Sequence, residues 1–159
     1  MDDPNRIAEV HICADTLPVA NIEQQHERRV AVFDLLEDNS FKAHARSGPY
    51  VLRISLRDGA RLDFLFEGMA GQEVGCVTLA LHSLRRVIKD YFLICESYND
   101  AIRTGTPAQI EAIDMGRRGL HNEGSRQIED ALGKIADLDF LTARRLFTLV
   151  CALHRRAPA

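Results

Sequence analysis

Apolar and polar positions alternate over residues 6–13, 50–68 and 73–81, and apolar positions recur at three- and four-residue steps over 21–38 and from 83 to the C-terminal region. The first pattern predicts strands and the second helices. Residues 6–13 put Ala8, Val10 and Ile12 on one face and Glu9 and His11 on the other. Asn21 and Gln24 then have the N-cap and N3 spacing of a helix whose apolar face is Ile22, Val30, Phe33 and Leu36, ending at Asp38-Asn39. The segment 40–49 carries Ser, Gly and Pro and is expected to be an exposed loop.

The clearest local signal is the pair of alternating runs on either side of Asp58-Gly59. A two-residue loop would mix their faces, whereas a three-residue loop Arg57-Asp58-Gly59, with Gly59 left-handed, makes them agree. That register buries Leu52, Ile54 and Leu56 with Phe64, Leu62 and Ala60, and sets Arg53 across from Asp63. A further strand over 73–81 turns Val77, Leu79 and Leu81 inward. From Ser83 a helix carries Leu84, Val87, Ile88, Tyr91, Ile94, Cys95, Tyr98, Ala101 and Ile102 on one face and stops at Gly105. Thr106, Pro107 and Gln109 supply N-cap, N1 and N3 of the next helix, which is expected to break near Gly124-Ser125. Asp139 can cap a last helix with Ala143, Leu146, Phe147, Val150 and Leu153 on its apolar face.

The 159 residues, 46% hydrophobic and 27% charged, suit one ordinary domain spanning 1–159. No apolar run reaches the roughly 18 residues needed to cross a bilayer, and the acidic start lacks the character of a signal peptide, so the chain is expected to be cytoplasmic. A net charge of −3 argues against non-specific nucleic-acid binding. The four cysteines, with no CxxC pair, are expected to be buried reduced thiols. Of the 20 basic residues 17 are Arg, and ten of those form adjacent pairs at 28–29, 85–86, 117–118, 144–145 and 155–156. Genomic base composition can produce that bias. Guanidinium pairs also bind carboxylate or phosphate bidentately, as Lys does not.

Two segments concentrate the candidate chemistry. In 116–124, Ala112, Gly116 and Gly119 form a small-residue stripe suited to close helix packing. The same segment offers Arg117, Arg118 and Asn122 as ligand-binding groups, and His121 with Glu123 as candidate catalytic acid and base. Asp114 can pair with either arginine. In the first turns of the helix from Ser83, Arg85, Arg86 and Lys89 oppose the helix dipole and call for protein carboxylates or a bound anion. No metal site is expected: Glu23-x-x-His26 has no second E-x-x-H. No cofactor motif, helix-turn-helix spacing or nucleophile motif occurs.

The strings RRVIKDYFLICESY (85–98), AIDMGRRGLHNEG (112–124) and TARRLFTLVCALH (142–154), with QHERRVAVFDLLE (25–37) and the Gly48-Pro49-Tyr50 entry to the hairpin, resemble an uncharacterised family of small bacterial proteins, the one numbered two hundred and sixty-two. The resemblance covers most of the chain. It implies a soluble bacterial protein and supplies no activity, cofactor or catalytic residue.

The fold expected is α+β, an antiparallel sheet of three or four strands packed with an N-terminal helix and a C-terminal helical group. The leading functional expectation is a small interaction or regulatory protein whose arginines hold a protein partner or a small anionic ligand. The alternative is a small hydrolase or phosphate-handling enzyme using His121 and Glu123 beside Arg117 and Arg118. A third reading is sequence-selective nucleic-acid binding through Arg144, Arg145, Arg155 and Arg156, which repeat at eleven residues on the last helix.

Overall fold

The computed structural model describes residues 3–154. Its order is β1 (Ile7–Ile12), a short 3-10 turn, α1 (Ile22–Glu37), β2 (Phe41–Ala43), β3 (Tyr50–Arg57), β4 (Arg61–Gly68), β5 (Glu73–Ala80), α2 (Leu81–Thr104), α3 (Pro107–Leu132), β6 (Ala136–Leu138) and α4 (Phe140–Leu153). The fold is α+β, with a four-stranded sheet ordered β1-β3-β4-β5 and a two-stranded sheet β2-β6. Arg155 and Arg156 lie outside the described residues.

The sheet is mixed rather than antiparallel throughout: β1 runs parallel to β3, while β3-β4 and β4-β5 are antiparallel. The reason lies in the connection, since α1 stands between β1 and β3 and a helix crossover returns the chain in the same direction. Asn39 fixes the far end of that crossover. Its side chain accepts from the Ile7 amide at 2.7 Å and donates to the carbonyls of Ile7 and Leu35 at 3.0 and 2.8 Å.

The hairpin has the expected buried face but a different register. Asp58 and Gly59 both have positive φ, at 55° and 66°, and Arg57 pairs with Arg61, so the turn is Asp58-Gly59-Ala60. Leu52, Ile54 and Leu56 now face Phe66, Phe64 and Leu62, two residues from the expected pairing. A shift of two keeps every side chain on its own face. Arg53 consequently pairs with Glu67 rather than Asp63, and Asp63 instead binds Arg57 and, at 2.6 Å, the Thr78 hydroxyl.

Segment 40–49 is an exposed loop only over residues 44–47, and its start is a strand. Phe41 and Ala43 are buried in β2, paired with Leu138 and Ala136 of β6, and the Phe41 ring stacks on Phe66 at 4.4 Å. The buried Tyr50 hydroxyl donates to the Arg46 carbonyl at 2.5 Å and accepts from the Ala43 amide at 3.0 Å. The cysteines also depart from expectation, because only Cys151 is buried; Cys13 and Cys76 are exposed and Cys95 is half-buried. In β5 the inner face belongs to Val77 and Leu79, which turns Cys76 outward.

All three predicted helix caps form. Asn21 and Thr106 each make a reciprocal capping box with the glutamine three residues on, and Asp139 accepts from the Thr142 amide at 2.9 Å. The buried face of α1, however, is Ala31 and Leu35. Ile22 and Phe33 remain 83% and 66% exposed, since α1 meets the core through a narrow edge. Helix α4 is the opposite case. Thr142, Ala143, Leu146, Phe147 and every residue from Leu149 to Leu153 are buried, as expected of a helix apolar nearly all round and enclosed by neighbours.

Helix α3 is continuous where a break was expected. Gly124 is there for closeness: a Cβ at this position would lie 2.1 Å from the Phe147 ring. Of the small-residue stripe, Gly116 faces the Ile94 side chain of α2, while Gly119 has nothing within 4 Å. The two glycines should therefore respond in opposite senses. Gly119→Ala is expected to stabilise by up to about 1 kcal/mol through helix propensity. Gly124→Ala should destabilise by roughly 1–3 kcal/mol because Phe147 must move. Chemical denaturation of both variants checks this, and equal effects would contradict the packing described.

Candidate functional site

The approach of α3 to α4 at Gly124 and Phe147 places the preceding turn of α3 over the middle of α4. His121 Nε2 there lies 2.8 Å from Thr148 Oγ1. The Thr148 hydroxyl donates its proton to the Arg144 carbonyl at 3.1 Å, so it accepts from the imidazole N–H at Nε2. On the other side of the ring, Ser125 Oγ is 3.4 Å from Nδ1 and donates to the His121 carbonyl at 2.7 Å. Tyr91 and Phe147 pack edge-on, with centroids 5.4 and 5.0 Å from the imidazole. Burial, with the nearby charges of Arg144 and Arg117, pushes the His121 pKa down from 6.5 to about 4. The ring is neutral at neutral pH, with both nitrogens next to protein hydroxyls.

Above His121 opens a cleft of about 380 Å³ between α2, α3 and α4. Arg117 and Arg118 enter it from α3 and Arg144 and Arg145 from α4, around Tyr91, His121, Thr148 and Leu141. Two of the five arginine pairs thus share one cavity whose lining contains no carboxylate. Asp114 lies behind it on α3, 2.5 Å from Arg117 and 3.2 Å from Arg118. Arg117 also stacks on Tyr98, its guanidinium 4.1 Å from the ring centroid, so its orientation is held from two directions. Arg145 donates to the Asp38 carbonyl at the end of α1 and lies 3.5 Å from that residue's carboxylate. Arg144 differs from the other three. Its Nε is buried without a hydrogen-bond partner, one of three such side-chain atoms among the described residues.

The remaining candidates from the sequence lie elsewhere. Glu123 does not line the cleft and sits 3.6 Å from Arg86 of α2. Residues two apart on a helix point about 200° from each other, which separates Glu123 from His121. Asn122 is half-buried, its Oδ1 without a partner and outside the cleft lining. Helix α2 starts at Leu81, so Arg85, Arg86 and Lys89 lie beyond its first turn, where the dipole has little effect. Arg85 donates to the Gly59 carbonyl at 3.0 Å and ties α2 to the hairpin, and Lys89 is exposed. Sequence reading passed over Tyr91, Leu141 and Thr148 as site residues, and treated Arg144 and Arg145 only as charges on the last helix.

The buried neutral imidazole makes stability depend on pH. The unfolded chain protonates His121 near pH 6.5 and the folded chain near 4, so between those values the unfolded state binds more protons and stability falls as pH falls. Wild type should lose about 2 kcal/mol more than His121→Gln between pH 7 and 4.5. Urea denaturation of both proteins at the two pH values measures the difference, and parallel losses would contradict a buried neutral ring.

No solved structure matches this chain. Among curated proteins it is 52% identical to a UPF0262 protein of Hyphomonas neptunium, over 97% of each chain. It is also 52% identical to one of Methylobacterium radiotolerans, over 95% of this chain and 94% of that one, and 56% identical to one of Brucella anthropi, over 83% of each. Among the described residues no helix is long and apolar enough to cross a membrane. The profile of the uncharacterised protein family UPF0262 matches residues 4–156, and the chain belongs to that family.

Proposed function

We propose that this protein is a binding protein, not an enzyme, that holds an anionic group of a small ligand or partner in the cleft between α3 and α4. The observation carrying this reading is the meeting of Arg117, Arg118, Arg144 and Arg145 in one cavity without a carboxylate in its lining. Guanidinium groups so placed repel one another, and an anion relieves the repulsion through charge-assisted hydrogen bonds. The unpartnered Arg144 Nε is a donor suited to that role. A phosphate-type anion fits better than a single carboxylate, because Asp114 and Asp38 together offset only two of the four charges.

Support for binding over catalysis comes from the two residues proposed as acid and base. His121 is neutral with both ring nitrogens next to hydroxyls, and Glu123 faces Arg86. Neither is placed to exchange a proton with a group in the cleft alongside the other.

Inorganic pyrophosphate is the test anion. At roughly 100 times its Kd it should stabilise the fold by about 2.7 kcal/mol, because only the folded state binds it. Arg118→Gln/Arg144→Gln should lose this increment, whereas Arg85→Ala/Arg86→Ala should retain it. Thermal unfolding at matched ionic strength gives the comparison. Equal stabilisation of wild type and the Arg118/Arg144 variant would reject the site.

A further inference from the structure

A second cavity of different character adjoins the arginine cleft. That cavity, about 410 Å³, lies farther along α4, between α1 and α2, and shares Tyr91 and Thr148 with the cleft. Its walls include Val30 and Ala31 of α1, Phe92 and Cys95 of α2, and Cys151 and Ala152 of α4. His26, Glu27 and Asp34 of α1 also border it. Both volumes lie within the roughly 300–1,000 Å³ of small-molecule sites.

The floor of both cavities is a stripe of α4 that is exposed at Leu141 and Thr148 and becomes buried at Ala152. Leu141, Arg145, Thr148 and Ala152 follow one another at helical spacing, and along them the lining changes from guanidinium to apolar. From Arg145 to Ala152 the helix rises roughly 10 Å. Tyr91 stands at the junction. Burial, together with the thiols of Cys95 and Cys151, pushes its phenol pKa up, so the hydroxyl stays protonated at the boundary between the two halves.

We propose that the ligand is a single-chain amphiphile, a phosphate monoester whose head lies among Arg117, Arg118 and Arg144 and whose alkyl chain lies in the groove of Val30, Phe92, Cys95 and Cys151. The proposal rests on the anion-binding reading above and names the class of ligand for that site. An apolar chain suits the second cavity because its inner walls come from aliphatic, aromatic and thiol side chains. The acids Glu27 and Asp34 on the α1 side disfavour a second anionic group there. The ligand is a free molecule rather than a bilayer headgroup, since its chain lies in a groove between α1 and α2 of the same protein.

Calorimetric titration with ethyl phosphate and hexyl phosphate at fixed ionic strength tests this. Each methylene that enters the groove should raise affinity roughly fourfold. Hexyl phosphate should therefore bind at least tenfold tighter than ethyl phosphate. Cys95→Leu fills the groove with an apolar side chain and should abolish the chain-length difference while ethyl phosphate still binds. Val30→Glu, at the half-exposed rim, should do the same if the first variant folds poorly. Arg118→Gln/Arg144→Gln should weaken both ligands. Equal affinity for the two phosphates in wild type overturns the amphiphile proposal and leaves the anion site standing. Binding of neither at matched ionic strength overturns both. Co-sedimentation with phosphatidic-acid vesicles without hexyl phosphate binding would overturn the proposal in favour of a membrane surface.

Discussion

Burial of α4 is the constraint on which the rest of the structure depends. Its sequence is apolar on almost every side, and such a helix must be covered by neighbours. Helix α1 covers one flank through Ala31 and Leu35, and α3 covers another where Gly124 admits the Phe147 ring. The chain enters α4 directly from β6, with Asp139 capping it and the Thr142 hydroxyl accepting from the Ser40 amide at 2.8 Å. One core cluster therefore joins α4 to the inner face of the sheet through Leu52, Phe64, Phe66 and Phe41.

The same constraint creates the groove. Helices α1 and α3 cover α4 on two flanks, and the stripe through Leu141, Arg145 and Thr148 stays wholly or partly exposed. Residues on that stripe are not chosen by core packing, so polar chemistry can stand beside the core. His121 shows how close the two come. Its ring packs against Phe147 on one side and borders the arginine cleft on another, and the nearby arginines together with burial keep it uncharged.

Much of this was legible in the sequence. Helix starts were, because capping depends on two or three adjacent residues and little else. The buried face of the hairpin was, because period-two alternation fixes the face even when the register moves by two. The parallel pairing of β1 was missed although a strand, a helix and another strand in succession imply a crossover. Strand β2 was missed because three residues between turn-forming neighbours carry too little periodicity. The face of α1 misled because Ile22, Val30 and Phe33 are more apolar than Ala31, yet a small residue permits the closer approach to α4. For the site, Arg117 and Arg118 were visible as a dense motif. Their association with Arg144 and Arg145 was not, since it depends on α3 packing antiparallel to α4 about the 133–139 connection. Gly124 and Phe147 lie about equally far from that connection, which signals the helix pairing, but Arg117 and Arg118 lie farther from it than Arg144 and Arg145, so that pairing alone does not bring the two arginine pairs together.

The energetics of Arg144 and Arg145 separate structural from functional roles. Arg145 reaches the Asp38 carbonyl and carboxylate, so its charge secures the end of α1 to α4. Arg144 is its immediate neighbour, yet its buried Nε has no acceptor. A buried donor left unpaired costs about 1–3 kcal/mol, and an apolar or shorter polar side chain at this position would avoid that cost. Departures from local packing rules that bring no compensating contact within the protein are characteristic of functional sites. Arg144 also lowers the pKa of His121, which adds to what the fold gives up at low pH. Under the anion-binding proposal, an acceptor supplied from outside the chain would account for both features at once: it would complete the hydrogen bonding of Arg144 and offset the positive field acting on His121.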